Sequence, residues 1–319
     1  MERRFWLVKT VEVSAPATIA NLGPGYDLMG MALDSPRDSL RASLVKSASD
    51  EIEVEGIGGD TISAEPDQNS SIVAARAVLR RAGVAGYGLK MILKKGVPPR
   101  MGMGSSGASS AAGAFAANFL IGSPLSEIEV LECAMEGERA ACGSAHADNV
   151  APSLLGGIIA ILRYNPVKVM KLRPLTGVEV VEVAPEVGIA QEKTRLAREV
   201  LPASVMLGTV VSQMSSFALL LMGIMNNDPK MAGEGISGDR IVEPARAKLI
   251  PGFSEVKKAA LGAGAYGCSI SGAGPSVFAI APQGMGAQIG ERMVDQFSEA
   301  GVRSKFSIHR ISEEGAKFV

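Results

Sequence analysis

The chain has 319 residues, of which 47% are hydrophobic and 20% are charged, and its formal net charge at pH 7 is −1. Because a single core stops growing near roughly 250–300 residues, this globular composition predicts one large or two moderate domains. The near-neutral charge, without long runs of Lys or Arg, argues against a nucleic-acid-binding surface.

Strands and helices are both predicted in the first half of the chain. β-Branched alternation indicates a strand over 8–17 that ends near Pro16, and further strands are predicted over 39–47, 51–56, 88–99 and 156–164. Apolar residues at helical spacing predict helices over 69–83, 105–122 and 126–141. The last of these begins with a capping box formed by Ser126 and Glu129.

The second half of the chain repeats this mixture after a change of composition near residue 165. Strands are predicted over 178–185, 266–274 and 277–282, and helices over 191–200, 203–226, 254–264 and 284–301. The order of elements favours an α+β fold over a doubly wound parallel sheet. We therefore expect two domains, spanning residues 1–165 and 166–319.

The sequence also predicts where the protein resides. Its three cysteines form no C-x-x-C pair, which favours a reducing compartment, although a disulfide between Cys133 and Cys142 is an alternative. Lys9 and Glu12 interrupt the apolar N-terminal stretch, which is not typical of a signal peptide. The longest apolar run, 217–225, is shorter than the ~20 residues of a membrane span. These features predict a cytoplasmic protein without a membrane partner, and the apolar run predicts a core or a homodimer surface.

A glycine- and serine-rich stretch, PPRMGMGSSGASSAAG, occupies residues 98–113. Gly102, Gly104 and Gly107 match G-x-G-x-x-G, but a dinucleotide-binding turn requires a strand directly before it and an acidic residue at the end of the next strand. Two prolines precede the glycines, and Glu127, at the appropriate distance, lies in a helix. No G-K-[ST] follows, so a P-loop is excluded too. A phosphate-binding loop at a helix N-terminus and a plain flexible connection both remain possible.

Two further stretches favour the phosphate-binding interpretation. Together with residues 98–113, the segments SAPATIANLGPGYDLMG (14–30) and SISGAGPSVFAIAP (269–282) resemble the three signature motifs of the GHMP kinase superfamily. The resemblance implies the GHMP kinase fold, with a ribosomal S5 domain 2-like N-terminal domain that binds ATP and a ferredoxin-like C-terminal domain. It also implies ATP and Mg²⁺ as cofactors.

Three other segments, 137–157, 194–202 and 243–253, resemble the homoserine kinase branch of this superfamily. This resemblance implies ATP-dependent phosphorylation of the side-chain hydroxyl of L-homoserine, a step of threonine biosynthesis. Two alternatives stay open at this point. One is another small-alcohol kinase of shikimate or mevalonate type, and the other is a non-catalytic sensor of ATP and a metabolite.

The resemblance assigns a role to each matching residue. Asp27 would meet the substrate hydroxyl as a base or as an orienting group, and the substrate would be bound by Asn21, Asp27, His146, Arg195 and Arg246. Ser106 and Glu138 would hold Mg²⁺. ATP would be bound by Pro98, Pro99, Arg100, Met101, Gly102, Met103, Gly104, Ser105, Ser106, Gly107 and Ala108. Without the motifs, each residue has an ordinary explanation, such as a turn Asp or a surface arginine. Asp148 and Asn149 are expected to hold their own loop.

Overall fold

The computed structural model describes residues 8–47, 49–187 and 193–319. A seven-stranded sheet contains the path β11-β1-β2-β4-β3, with β5 paired to β2 and β6 paired to β5. Its strands are β1 (Thr10–Ala20), β2 (Met29–Val45), β3 (Glu51–Gly56), β4 (Gly88–Lys95), β5 (Ile158–Tyr164), β6 (Val167–Leu172) and β11 (Lys317–Phe318). All neighbours are antiparallel except β3 and β4. The C-terminal strand thus returns to the first sheet.

Helices α2 (Ser105–Leu120) and α4 (Ala147–Leu155) pack against strands β1 and β2, and α1 (Ser70–Ala82) and α3 (Glu127–Cys142) pack against α2. The central helix, α2, is built almost wholly from Ala, Ser and Gly and is buried along most of its length. A Cβ at Gly113 would lie 2.1 Å from the carbonyl oxygen of Ser71 in α1. Small residues therefore allow α1 and α2 to pack backbone to backbone. The capping box predicted at Ser126 and Glu129 is confirmed.

The second sheet has four antiparallel strands in the order β10-β7-β9-β8. Its strands are β7 (Val178–Pro185), β8 (Gly267–Ile270), β9 (Val277–Pro282) and β10 (Ser304–His309). With α9 (Phe253–Gly262) between β7 and β8, and α10 (Gly286–Glu299) between β9 and β10, the connectivity is the β-α-β-β-α-β of a ferredoxin-like unit. The ferredoxin-like C-terminal domain is therefore confirmed.

Between β7 and α9, the described residues form four α-helices, namely α5 (Lys193–Glu199), α6 (Leu207–Met225), α7 (Pro229–Ser237) and α8 (Val242–Arg246). The main hydrophobic core extends from the first sheet to Leu220 and Ile224 of α6 and to Phe278 and Ile280 of β9. A second, smaller core fills the space between the ferredoxin-like sheet and helices α9 and α10. The two units consequently share packed apolar surface.

Several boundaries differ from the sequence-based expectation. The domain boundary expected at residues 165–166 falls inside the β5–β6 hairpin, where Tyr164 pairs with Val167, so the first unit continues through Leu172. The composition change at Pro166 marks a hairpin turn. The first strand does not end at Pro16 either: its register against β2 shifts between Pro16 and Thr18, and the strand continues to Ala20.

The predicted helix over 203–226 is the 19-residue α6, which contains the apolar run 217–225. By length and composition alone, this helix is long and apolar enough to cross a membrane. Only 17% of its most apolar 18-residue stretch is buried. The expectation that the apolar stretch is too short for a span is therefore corrected. Helices α4, α7 and α8, together with β6, β10 and β11, have no counterpart among the predicted elements.

Candidate active site

One cavity of about 350 Å³ brings the three sequence motifs together. Asn21 and Asp27 from the first motif, Gly102 and Gly104 from the second, and Gly272 from the third all line it. The cavity also reaches residues that no motif contains. These further lining residues include Thr61, Ser63, Gln68, Lys95, Glu138, His146, Asp148, Asn149, Arg198 and Arg246, and Tyr26 of the first motif lines the cavity as well.

The glycine-rich loop leads into the N-terminus of α2. Gly102 and Gly104 have φ values of +85° and +66°, which L-residues with side chains rarely adopt. A Cβ at Gly104 would also lie 2.0 Å from the Thr18 hydroxyl oxygen. Gly104 is the N-cap of α2 and offers no side-chain cap, so the first amide groups of this 16-residue helix are available to an anion. The loop has the chemistry of a phosphate site.

The buried ammonium group of Lys95 stabilises this loop. Lys95 at the end of β4 is 2% exposed; its ammonium contacts the Asp38 carboxylate and donates to the Ser105 carbonyl and the Ser109 hydroxyl, each at 2.9 Å. Burial lowers the pKa of Lys95, and the charges of Asp38 and Glu138 oppose this effect. The Ser105 hydroxyl donates to the Val97 carbonyl at 2.8 Å, so it fastens the loop.

The two residues expected to hold Mg²⁺ lie on facing helices of the same cavity. Ser106 is in the first turn of α2, and Glu138 is in α3. Glu138 is only 4% exposed. A carboxylate so buried requires a positive partner, and its oxygen atoms together with a serine hydroxyl are donors that suit Mg²⁺.

The first motif places Asp27 on a loop directly after β1. Asp27 has φ of +56°, and its N–H donates to the Asn21 side-chain oxygen at 3.1 Å. The Asn21 amide nitrogen in turn donates to the Gly272 carbonyl at 3.0 Å. Asn21 therefore fixes the loop that carries Asp27 and joins it to the third motif.

His146 and Asp148 lie beside Asp27 at the start of α4. The His146 Nδ1 atom is 3.3 Å from Asp27 Oδ1, and ligand atoms of all three side chains lie within 4.8 Å of one another. Burial and the charge of Asp27 raise the pKa of Asp148 to about 7. Burial lowers the pKa of His146, but its hydrogen bond to Asp27 and the charge of Asp148 outweigh that effect and raise it. The cluster thus carries excess negative charge that a cation would relieve. Asp148, expected to hold its own loop, is a site residue that the sequence analysis missed.

Arg246 closes the cavity from the C-terminal unit. It is 4% exposed, and its guanidinium donates to the carbonyls of Ala197 at 2.9 Å and Gly272 at 2.8 Å. Its charge also lies over the Tyr26 ring, 5.1 Å from the centroid. Arg246 therefore lines the cavity beside Tyr26, with part of its hydrogen-bonding capacity used by the fold.

Arg195 does not line the cavity, contrary to the expectation that it clamps a carboxylate. Its side chain is 57% exposed and pairs with Glu199 one turn further along α5. Arg198 lines the cavity instead. Its guanidinium contacts the Ser144 hydroxyl, and within the described part of the chain its buried Nη2 has no hydrogen-bond partner. The sequence contains a clue: Arg195 has Glu199 at i+4, which favours a surface ion pair, whereas Arg198 is followed at i+4 by Pro202.

The residues expected to bind ATP divide into two groups. Those that line the cavity are Pro99, Arg100, Gly102, Gly104, Ser105 and Ser106. The remaining members, Pro98, Met101, Met103, Gly107 and Ala108, are outside its lining; of these, Met103 and Ala108 belong to the core. The second group therefore shapes the loop.

Two family models match this chain, and both have GHMP kinase descriptions. GHMP kinases N terminal domain matches residues 69–157, and GHMP kinases C terminal matches residues 220–299. Homoserine kinase of Chlorobaculum tepidum is 39% identical over 324 residues, covering 98% of this chain and 99% of the relative. Homoserine kinase of Pyrococcus abyssi is 41% identical over 307 residues, covering 96% and 98%.

A solved structure gives the same result. The crystal structure of homoserine kinase from Cytophaga hutchinsonii superimposes with a TM-score of 0.90 at 36% identity, covering 100% of both chains. The similarity extends over both units of the chain. The chain therefore belongs to the homoserine kinase family of GHMP kinases.

Proposed function

We propose that the protein transfers the γ-phosphoryl group of ATP to the side-chain hydroxyl of L-homoserine, giving O-phospho-L-homoserine for threonine biosynthesis. The observation that carries the proposal is a single cavity with two chemically different ends. The uncapped N-terminus of α2 suits a polyphosphate, and the cluster around Asp27 suits a small zwitterion. Homologues named homoserine kinase over nearly the full chain support the same substrate.

The charges at the second end match an amino acid. Arg198 offers a buried guanidinium nitrogen beside Arg246, and a guanidinium binds a carboxylate through two parallel hydrogen bonds. The buried Asp148 carboxylate offers an anionic partner for an α-ammonium group. Mevalonate and shikimate have a carboxylate but no ammonium group, so neither would offer the buried Asp148 carboxylate a cationic partner.

Asp27 is the group that meets the acceptor hydroxyl. It lies between the amino-acid end and the phosphate loop, and its carboxylate is hydrogen-bonded by His146 at 3.3 Å. A carboxylate there aligns the hydroxyl for attack and can accept its proton as a general base. Because phosphoryl transfer depends mainly on positioning and charge neutralisation, alignment by Asp27 contributes in either case.

Ser106 and Glu138 would hold Mg²⁺ at the phosphate end, since both line the cavity and both supply hard oxygen donors. When bound, the ion neutralises charge on the transferred and leaving phosphates. Ser106→Ala and Glu138→Ala should each weaken Mg²⁺-dependent turnover. The double variant should lose less than the product of the two single losses, because both side chains would touch one ion.

A coupled assay of ADP release decides between the candidate activities. With Mg·ATP held constant, L-homoserine should support turnover, whereas L-threonine, shikimate and mevalonate should not. Turnover with shikimate or mevalonate at the expense of homoserine would favour the alternative small-alcohol kinases. Nucleotide binding without turnover on any acceptor would favour a sensor.

We also propose that the protein is a homodimer that associates through α6. Exposed apolar residues recur along this helix at spacings of four, seven, fifteen and eighteen from the first: Leu207, Val211, Met214, Met222 and Met225. A stripe of this kind fits against another helix. No Lys, Arg or His occurs between residues 200 and 229, which disfavours an anionic membrane surface. Asp228 is the only charged residue in this range and lies beyond the end of α6, so the helix itself has no charge that would repel a second copy. The free, buried thiols of Cys133 and Cys268 fit a reducing cytoplasm.

Light scattering after size exclusion tests the homodimer. The wild type should have twice the chain mass, and Val211→Glu with Met214→Glu should have the mass of one chain, because two carboxylates would be buried at the interface. A wild-type monomer, or a dimer unaffected by both changes, would contradict the assignment of α6.

A further inference from the structure

We propose that Tyr164 is a positioning residue that holds Asp27 in its working position beside the start of α4. This inference rests on the proposed function, because it assigns to Asp27 the contact with the acceptor hydroxyl. Tyr164 is the last residue of β5 and belongs to none of the three motifs. Its hydroxyl donates to the Asp27 carbonyl at 2.6 Å, across 137 residues of sequence.

Asp27 belongs to a cluster with two residues at the start of α4. His146 is the N-cap of that helix, and Asp148 lies in its first turn. Ligand atoms of Asp27, His146 and Asp148 lie within 4.8 Å of one another, so the position of the Asp27 loop, which the Tyr164 hydroxyl holds, sets the geometry of the cluster.

Asp27 needs such support because of its backbone. Its φ of +56° is a conformation that costs free energy in a residue other than glycine, and it persists only where the surroundings impose it. Asn21 fixes the N–H of Asp27 at 3.1 Å, and Tyr164 fixes its carbonyl. Each side of the residue is thus held by one side chain.

The fold around Asp27 does not depend on this hydroxyl. The Ile161 N–H donates to the Leu28 carbonyl at 2.7 Å, and Met29 pairs with Ala160 in the β2–β5 ladder. These hydrogen bonds hold the chain immediately after Asp27 and do not depend on the side chain at position 164. Loss of the hydroxyl alone should therefore loosen Asp27 while leaving the sheet intact.

Tyr164→Phe removes the hydroxyl and keeps the ring. We expect kcat with L-homoserine to fall about tenfold and the KM for homoserine to rise severalfold, with the KM for ATP unchanged. Tyr87→Phe is the matched control, since Tyr87 lies on the far side of α1 near Arg76 and should keep wild-type constants. Thermal unfolding with and without Mg·ATP should differ little among the three proteins.

A double-mutant cycle with Asp27→Asn separates positioning from a general structural role. If Tyr164 acts through Asp27, adding Tyr164→Phe to Asp27→Asn should change kcat less than twofold. Full kcat in Tyr164→Phe, or an undiminished tenfold loss in the Asp27→Asn background, would overturn the proposal. Should the Phe variant not fold, Tyr164→His is measured in the same cycle with the same criteria. A wild-type enzyme inactive on homoserine would instead refute the proposed function.

Discussion

Arg198 and Arg195 lie one turn apart on α5, and replacing each with alanine separates a substrate contact from a surface charge. Arg198 lines the cavity with a buried guanidinium nitrogen that has no partner among the described residues. Arg195 is 57% exposed and pairs with Glu199. Both variants remove the same side chain from the same helix, so each serves as the control for the other.

The expected magnitudes follow from these environments. A hydrogen bond to a charged group contributes about 1.5–3 kcal/mol, and each ~1.4 kcal/mol corresponds to tenfold in affinity. Arg198→Ala should therefore raise the KM for L-homoserine about 10- to 100-fold. The exposed pair of Arg195 contributes only a few tenths of a kcal/mol, about 0.3–0.5 for an i,i+4 helix pair, so Arg195→Ala should stay within about twofold of the wild type.

The assay varies L-homoserine at saturating Mg·ATP and then varies ATP at saturating homoserine. The KM for ATP should be unchanged in both variants. A larger homoserine effect in Arg195→Ala than in Arg198→Ala would refute the assignment, and an effect confined to ATP would move Arg198 to the nucleotide side. Arg246→Ala is a less decisive test, because Arg246 also holds the carbonyls of Ala197 and Gly272.

Three further changes test the site. Asp27→Asn should lower kcat by about 10²–10⁴-fold if the carboxylate is a general base, with ATP binding intact by calorimetry; near-wild-type turnover would exclude both the base and the orienting role. Burial and the charge of Asp27 raise the pKa of Asp148 to about 7. As the pH falls through about 7, the Asp148 carboxylate gains a proton, so kcat/KM for homoserine should decrease. Asp148→Asn should remove this decrease from the pH profile. Gly104→Val should abolish the rise in Tm that Mg·ATP causes, because a Cβ at position 104 would lie 2.0 Å from the Thr18 hydroxyl oxygen. Gly86 also has a positive φ, but a Cβ there would meet no atom within 4 Å, so Gly86→Val should retain the rise in Tm. Stabilisation of the wild type by NAD would revive the dinucleotide interpretation of the loop.

Local chemistry made several elements predictable. The capping box at Ser126 and Glu129 and the Asn69 cap of α1 are formed within a few residues, and both occur where the sequence indicates a helix start. The glycine-rich loop is also local, since prolines exclude a strand next to Gly102. The position of this loop at the start of α2 was therefore predictable from local sequence, and the resemblance to GHMP kinases supplied its interpretation as a phosphate site.

The amino-acid end was harder to predict because distant segments build it. Arg195 and Arg198 lie on different sides of a seven-residue helix, and only Arg198 lines the cavity. Seven residues are too few for hydrophobic periodicity to predict which side of the helix is buried. Helix α4 escaped prediction because it is short and contains Pro152. Tyr164 reaches Asp27 only through the pairing of β5 with β2, which no local pattern reveals.

The third motif has a role that a tight turn alone does not explain. Gly272 has φ of +55°, but an added Cβ would meet nothing closer than 3.5 Å, so glycine is required there for its backbone conformation. That conformation presents the Gly272 carbonyl to two donors, the Asn21 amide from the first motif and the Arg246 guanidinium from the C-terminal unit. The adjacent Ser271 hydroxyl donates to the Gly102 carbonyl of the phosphate loop at 2.6 Å. The turn thus sets the phosphate loop, the Asp27 loop and Arg246 relative to one another. We therefore expect an altered turn to change the KM for both substrates, whereas Arg198→Ala should change the KM for homoserine alone.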